Sequence, residues 1–231
     1  MKTVGIVGGI GPDSTIEYYR LLIAAFREQN PDAGYPPILI NSISLKLMLE
    51  LIAAERLEDV TRYLLEEVRR LARAGADFGV LAAHTPHIVF DDLRSQSPIP
   101  LLSIVEATCD ATEALGLRNV GLFGTRFTMQ GKFYPEVFAR RGISLSVPGI
   151  EEQATIHEKY MGELVKGIFL PETRRVLLGI AKRLQKQKGI QGLILGGTEL
   201  PLILPDADYE GISILDTTRI HVRQIVARMQ S

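Results

Sequence analysis

The sequence predicts an α/β protein made of two similar α/β/α lobes, each on a parallel sheet. Two observations carry that prediction. Continuous apolar strand patterns alternate with amphipathic helix patterns along all 231 residues, as in a parallel sheet covered by helices on both faces. Three strings also recur in the same order, at a spacing of 110 to 116 residues. Val4-Gly5-Ile6-Val7-Gly8 matches Val120-Gly121-Leu122-Phe123-Gly124, and Gly79-Val80-Leu81-Ala82-Ala83 resembles Leu193-Ile194-Leu195-Gly196-Gly197. Ser103-Ile104-Val105-Glu106-Ala107-Thr108 matches Ser213-Ile214-Leu215-Asp216-Thr217-Thr218. The polar positions shared by the last pair favour duplication of one unit over chance likeness among buried strands. The length agrees with one large domain or two lobes, at about 100–200 residues per domain.

Residues 3–8 are apolar and β-branched and end in glycine, which marks a buried strand. Pro12 opens a helix to about Asn30, because the first turn needs no N–H from it. Pro31 to Pro37 is a loop and 38–43 a strand. Helices follow at 46–54 and 57–74, the second closed by Gly75. Then come a strand at 78–82, a helix at 86–95, a strand at 101–104 and a helix at 106–116. The order restarts with a strand at 119–123, a helix at 128–141 and a strand at 143–147. Helices cover 151–167 and 172–187, the latter opened by Pro171; 192–195 is a strand followed by a short helix. Residues 211–215 form the last strand and 217–230 the last helix. The expected division is 1–116 for the first lobe and 117–216 for the second, with 217–231 able to pack back on the first.

Composition narrows the function. Apolar residues make up 46% and charged residues 23%, with 26 basic and 27 acidic residues. That balance, without runs of like charge, gives no support to a nucleic-acid groove or a polybasic membrane patch. A lone cysteine, Cys109, excludes an internal disulfide, a CxxC pair and a mechanism using two thiols of one chain. Its setting among Ala107 and Ala111 on a helix reads as a buried structural thiol. No run of about 18 apolar residues occurs. The first residues read as a strand rather than a signal peptide, so the expected address is the cytoplasm.

Ligands of open parallel sheets sit beyond the carboxyl ends of the strands. Here those ends carry Gly8 to Thr15, Ala82 to His87 and Glu106 in the first half, and Gly124 to Thr128, Gly196 to Glu199 and Asp216 in the second. Two such edges facing each other across a cleft would place a group on each face of one carbon. The first glycine loop fails GxGxxG at Ser14, and the second strand ends in Asn41-Ser42 without an acid for a ribose hydroxyl. No cofactor is therefore expected. The loop is a tight turn, or a helix start whose N–H groups near Gly9 hold a carboxylate. His84 and His87 lack a nearby third ligand, so no metal is expected; each hydrogen-bonds its loop or serves the site. Glu106 and Asp216 are helix caps or site carboxylates. Arg126 and Lys166 are surface charges, or one of them meets a substrate carboxylate.

The Gly8-Gly9-Ile10-Gly11-Pro12 loop with Ser14-Thr15, the Gly124-Thr125-Arg126-Phe127-Thr128 segment, Thr85 with His87, Thr198-Glu199 and Asp216-Thr217-Thr218 with His221 together resemble the aspartate/glutamate racemases, over essentially the full chain. The resemblance implies two α/β lobes related by a pseudo-twofold axis, an active-site cleft between them, a homodimer, and cofactor-independent removal and return of an α-proton. It also implies two cysteine bases, one before Asn-Thr-x-His and one within Gly-Cys-Thr-Glu. Those positions are Ala83 and Gly197 here, and His84 stands for the asparagine. His84, Glu199 and Asp216 are the remaining candidates for catalysis. Gly9, Thr85, His87, Thr125, Lys166 and Thr198 are the candidates for holding a small amino acid or dicarboxylate. Lys166 is included because the family can place a substrate-binding lysine in the Glu163 to Gly167 segment. A carboxylate-binding protein without turnover and a related lyase or isomerase stay open as alternatives.

Overall fold

Strand β1 (Val4–Gly8) is buried along its whole length, as its continuous apolar string requires in a sheet covered on both faces. The computed structural model describes residues 1–31 and 34–231; Asp32 and Ala33, in the expected loop between Pro31 and Pro37, lie outside the described residues. Helix α1 (Pro12–Gln29) starts at the proline and is followed by β2 (Ile38–Ser42), α2 (Leu45–Ala53) and α3 (Leu57–Arg73). Strand β3 (Phe78–Leu81) leads into a 3-10 turn (Thr85–Val89), α4 (Phe90–Gln96) and β4 (Leu101–Leu102). The order in this sheet is β2-β1-β3-β4, every pairing parallel.

After α5 (Ile104–Ala114), β5 (Asn119–Gly124) opens the second sheet. Helices α6 (Arg126–Gln130) and α7 (Phe133–Ala139) stand where one helix over 128–141 was expected. The break falls at Gly131, which is extended and closes α6. Next come β6 (Ser144–Ser146), α8 (Ile150–Gly162), a 3-10 turn (Leu164–Lys166), α9 (Pro171–Lys188) and β7 (Gly192–Gly196). The chain ends with α10 (Leu200–Ile203), β8 (Asp208–Tyr209), β9 (Ile212–Leu215) and α11 (Thr217–Gln230). The order is β6-β5-β7-β9-β8, parallel except for the β8–β9 pair. Four strands of this sheet repeat the order of the first, with β7 in the place of β3. Strand β8 is an addition that a two-residue antiparallel pairing does not announce in sequence.

The chain divides into one unit of Met1–Ile104 with His221–Ser231, and another of Val105–Ile220. The division thus falls one helix earlier than the expected Gly116. Side chains of α5 explain this: Cys109 Sγ points at the Val137 carbonyl at 3.9 Å, and Arg141 bonds Glu113 at 2.8 Å. The end of α11 joins the first unit, where the Lys2 N–H donates to the Met229 carbonyl at 2.8 Å. The first unit centres on β1 and β3 with Tyr18, Leu22, Leu64 and Val68 fully buried. The second centres on Phe123, Leu193 and Leu195, packed against Ile156, Leu177 and Leu184. Among the described residues, no helix is long and apolar enough to cross a membrane.

Candidate functional site

In the first unit the chain leaves β1 through a loop that only glycine permits. Gly9 has φ +77° and Gly11 φ +122°, values that side chains with a Cβ resist. A Cβ on Gly9 would also stand 2.6 Å from the Ile43 carbonyl oxygen. The loop is closed from within. Thr15, one turn into α1, accepts the Gly9 N–H at 2.9 Å and donates to the Gly11 carbonyl at 3.1 Å. Ser14 donates to that carbonyl at 2.8 Å. Of the N–H groups near Gly9 expected to hold a carboxylate, that of Gly9 itself donates to Thr15. Beside the loop lies a groove of about 630 Å³, lined by Gly9, Pro12 and α2 residues including Lys46 and Glu50.

Beyond β3, Ala82, Ala83 and His84 are buried, and Thr85 and His87 follow in the 3-10 turn, also buried. The turn is closed by the His87 N–H donating to the His84 carbonyl at 2.9 Å. The His87 ring stacks on Phe90, with centroids 4.7 Å apart and planes 8° from parallel. His221, from α11, is fully buried and its Nδ1 lies 2.9 Å from the Tyr18 hydroxyl. Burial pushes His84 well below the ordinary histidine value, and His87 and His221 add repulsion. Burial lowers His87 to about 4 and His221 to about 3, the latter helped by His87. Burial thus favours the neutral ring at all three. Among the described residues, no group of three or more His, Cys, Asp or Glu side chains is placed to hold a metal ion.

In the second unit, Thr125 caps α6: its hydroxyl oxygen accepts the Thr128 N–H at 3.2 Å. Arg126 is exposed, and its N–H donates to His157 Nδ1 at 3.2 Å. Asp216 is tied into the start of α11. Its Oδ1 accepts the Arg219 N–H at 3.0 Å, and its Oδ2 pairs with Arg219 Nε at 3.2 Å. The Arg219 N–H bond is that of a helix cap. Lys166 is exposed on the 3-10 turn after α8. Cys109 is 1% exposed, and burial raises its thiol to about 11, the opposite of what a nucleophile needs.

Beyond β7 stand Gly197, Thr198 and Glu199. Thr198 and Glu199 are buried, and the Thr198 hydroxyl donates to Glu199 Oε2 at 3.1 Å. The Tyr160 hydroxyl, from α8, donates to the same carboxylate oxygen. Sequence reasoning missed Tyr160, Tyr18 and the ring contacts of His221. His221 lay within a quoted motif. Tyr160 carries no local signal, because it meets Glu199 from 39 residues away.

Residues 7–225 match the family model Asp/Glu/Hydantoin racemase. The fold is similar to that of a Yersinia pestis protein named as a candidate Asp/Glu racemase, at 29% identity and TM-score 0.90, with 100% of each chain covered. An aspartate racemase homologue from Pyrococcus horikoshii is similar at 32% identity and TM-score 0.85, again over 100% of each chain. Among curated proteins, a broad specificity amino-acid racemase of Bacillus subtilis is 26% identical over 60% of this chain and 61% of its own length. The chain therefore spans about three fifths of that relative.

Proposed function

The chain belongs to the Asp/Glu/Hydantoin racemase family, and on that premise we propose that it is a racemase or epimerase of a small amino acid or dicarboxylate, working without pyridoxal phosphate or another cofactor. The observation that carries this reading is the equivalence of β3 and β7. Each lies beside the first strand of its sheet, at the same place in the strand order, and each leads into a buried polar segment, His84 to His87 and Thr198 to Glu199. Inversion at an α-carbon requires a proton to leave one face and another to arrive at the opposite face. Two equivalent strand ends with proton-carrying groups suit that requirement.

Neutral His84 is the base proposed from the first unit, with Thr85 and His87 beside it. Thr125, Thr198 and exposed Lys166 are proposed to orient the substrate, Lys166 through its carboxylate. The family thiol positions are proposed to be Ala83 and Gly197, so ordinary aspartate or glutamate racemisation is expected well below a typical enzymatic rate of about 10 s⁻¹. A homodimer and a cytoplasmic address belong to the same proposal and rest on the family alone. A second reading, carboxylate binding without turnover, is favoured by one fact: neither Ala83 nor Gly197 carries an ionisable group.

Deuterium uptake at the α-carbon, followed by NMR in heavy water over L- and D-amino acids, separates these readings. Uptake with inversion for at least one amino acid is the expected result. Tight binding with no uptake sinks the racemase reading in favour of the binding protein. A product of new mass points to a lyase.

A further inference from the structure

Helix α2 is apolar on more faces than its own unit covers. Of its nine residues, all but Lys46 and Glu50 are apolar, and it buries Met48 and Ile52. Leu45, Leu49 and Leu51 stay half-buried, and Leu47 is 43% exposed. The groove of about 630 Å³ runs along its Leu45, Leu49 and Ala53 side to Pro12 of α1. From Pro12 an apolar stripe continues along α1 at helical spacing through Ile16, Tyr19 and Ile23. Ile16 is 65% exposed, Tyr19 is exposed and Ile23 half-buried. Strand β2 lies at the sheet edge directly ahead of α2, holds neither proline nor charge to discourage pairing, and exposes Ile40. All of this surface lies within the first unit. Clustered apolar exposure of this kind marks an interaction surface.

The sequence of α2 identifies the partner. Leu45-Lys46-Leu47-Met48-Leu49-Glu50-Leu51 reads the same in both directions about Met48, except that lysine on one side answers glutamate on the other. A contact across a twofold axis must be self-complementary, so that residue i meets j while j meets i. Two copies of α2 laid antiparallel and centred on Met48 bring each Lys46 level with the other copy's Glu50, and each leucine level with a leucine. A parallel pairing would set like charges level instead. Met48 is fully buried in its own unit, so the outward face is the opposite one, which carries Lys46 and Glu50. These two lie 3.8 Å apart and both are exposed. Helix α2 is about 13 Å long, too short to bury the roughly 800 Å² per partner of a standard interface alone. The stripe on α1 adds the apolar area it lacks. We propose that α1, β2 and α2 present the interface of an isologous homodimer, with the two α2 helices antiparallel across the twofold axis. The partner is a second copy of this chain. The inference gives the dimer named above a face, and it is independent of the racemase reading.

The test is charge reversal in the whole chain, followed by sedimentation over a concentration series. Lys46→Glu leaves two acids on the face and Glu50→Lys two bases; both side chains are exposed, so the fold does not depend on them. The parent is expected to be a dimer. Each single variant is expected to dissociate at least about 10-fold more readily, because like charges then meet twice across the axis. An equimolar mixture of the two variants is expected to restore the dimer, the acidic face of one chain meeting the basic face of the other. The double variant, Lys46→Glu with Glu50→Lys, is expected to dimerise like the parent. A monomeric parent leaves the groove to some other occupant and overturns the proposal. Single variants that dimerise like the parent, or a mixture no tighter than its components, overturn it as well. Deuterium uptake by the parent is read separately, so loss of either reading leaves the other standing.

Discussion

The carboxyl edge of the first sheet is built around histidine, and that of the second around tyrosine and glutamate. Strands β3 and β7 hold the same place in their sheets and are followed by the same kind of small buried residue, Ala83 and Gly197. What surrounds those residues differs. At the first edge, burial holds His84, His87 and His221 neutral. At the second, a buried carboxylate gathers the hydroxyls of Thr198 and Tyr160. A repeated topology fixes where a strand end points its chain. It does not fix the chemistry, because the groups that meet there come from helices such as α8 and α11 that are distant in sequence.

The largest expected effect is of acid. His87 and His221 have folded-state values of about 4 and about 3, below the ordinary histidine value. Between that value and the folded ones the unfolded chain binds protons that the folded chain refuses, so stability falls as pH falls. The contribution is fully present above about pH 6.5 and is lost on the way down toward 4 and 3, on the order of 3 kcal/mol for His87 alone. Peptide-resolved hydrogen exchange from pH 7 to pH 4 should show the first unit losing protection before the second. Equal loss in both would erase this difference between the edges.

Next in size is filling the two small positions. Gly197→Cys drives a Cβ into the Tyr160 ring and should cost about 1–3 kcal/mol by denaturant titration. Ala83→Cys adds one atom to an existing Cβ and should cost less than half as much. In a Tyr160→Ala background, Gly197→Cys should cost nothing further, since the obstructing ring is gone. Additive costs in that cycle would mean that Tyr160 does not fill the space at 197.

The smallest effect concerns Asp216. As a cap of α11, Asp216→Ala should cost about 1 kcal/mol, and Asp216→Asn only a few tenths, because asparagine caps equally well. Equal losses from the two would show that the charge, rather than the cap, is what the second edge needs.

Much of the fold was legible in the sequence because its signals are local. Buried strands announce themselves by continuous apolar strings. Pro12 and Pro171 open α1 and α9 where expected, since a proline at a helix start loses no hydrogen bond. The strand ends named the polar segments His84 to His87 and Thr198 to Glu199 in the same way. What tertiary structure alone decided is which side chains meet at those ends. Thr15 takes the Gly9 N–H, α5 sides with the second unit, and β8 pairs only because β9 lies beside it. Tyr18 reaches His221 across 203 residues of sequence, and Tyr160 reaches Glu199 across 39. A strand's period is set by its own backbone, so it can be read from one segment. The occupant of a buried volume is set by whichever helix packs over it, and no single segment records that.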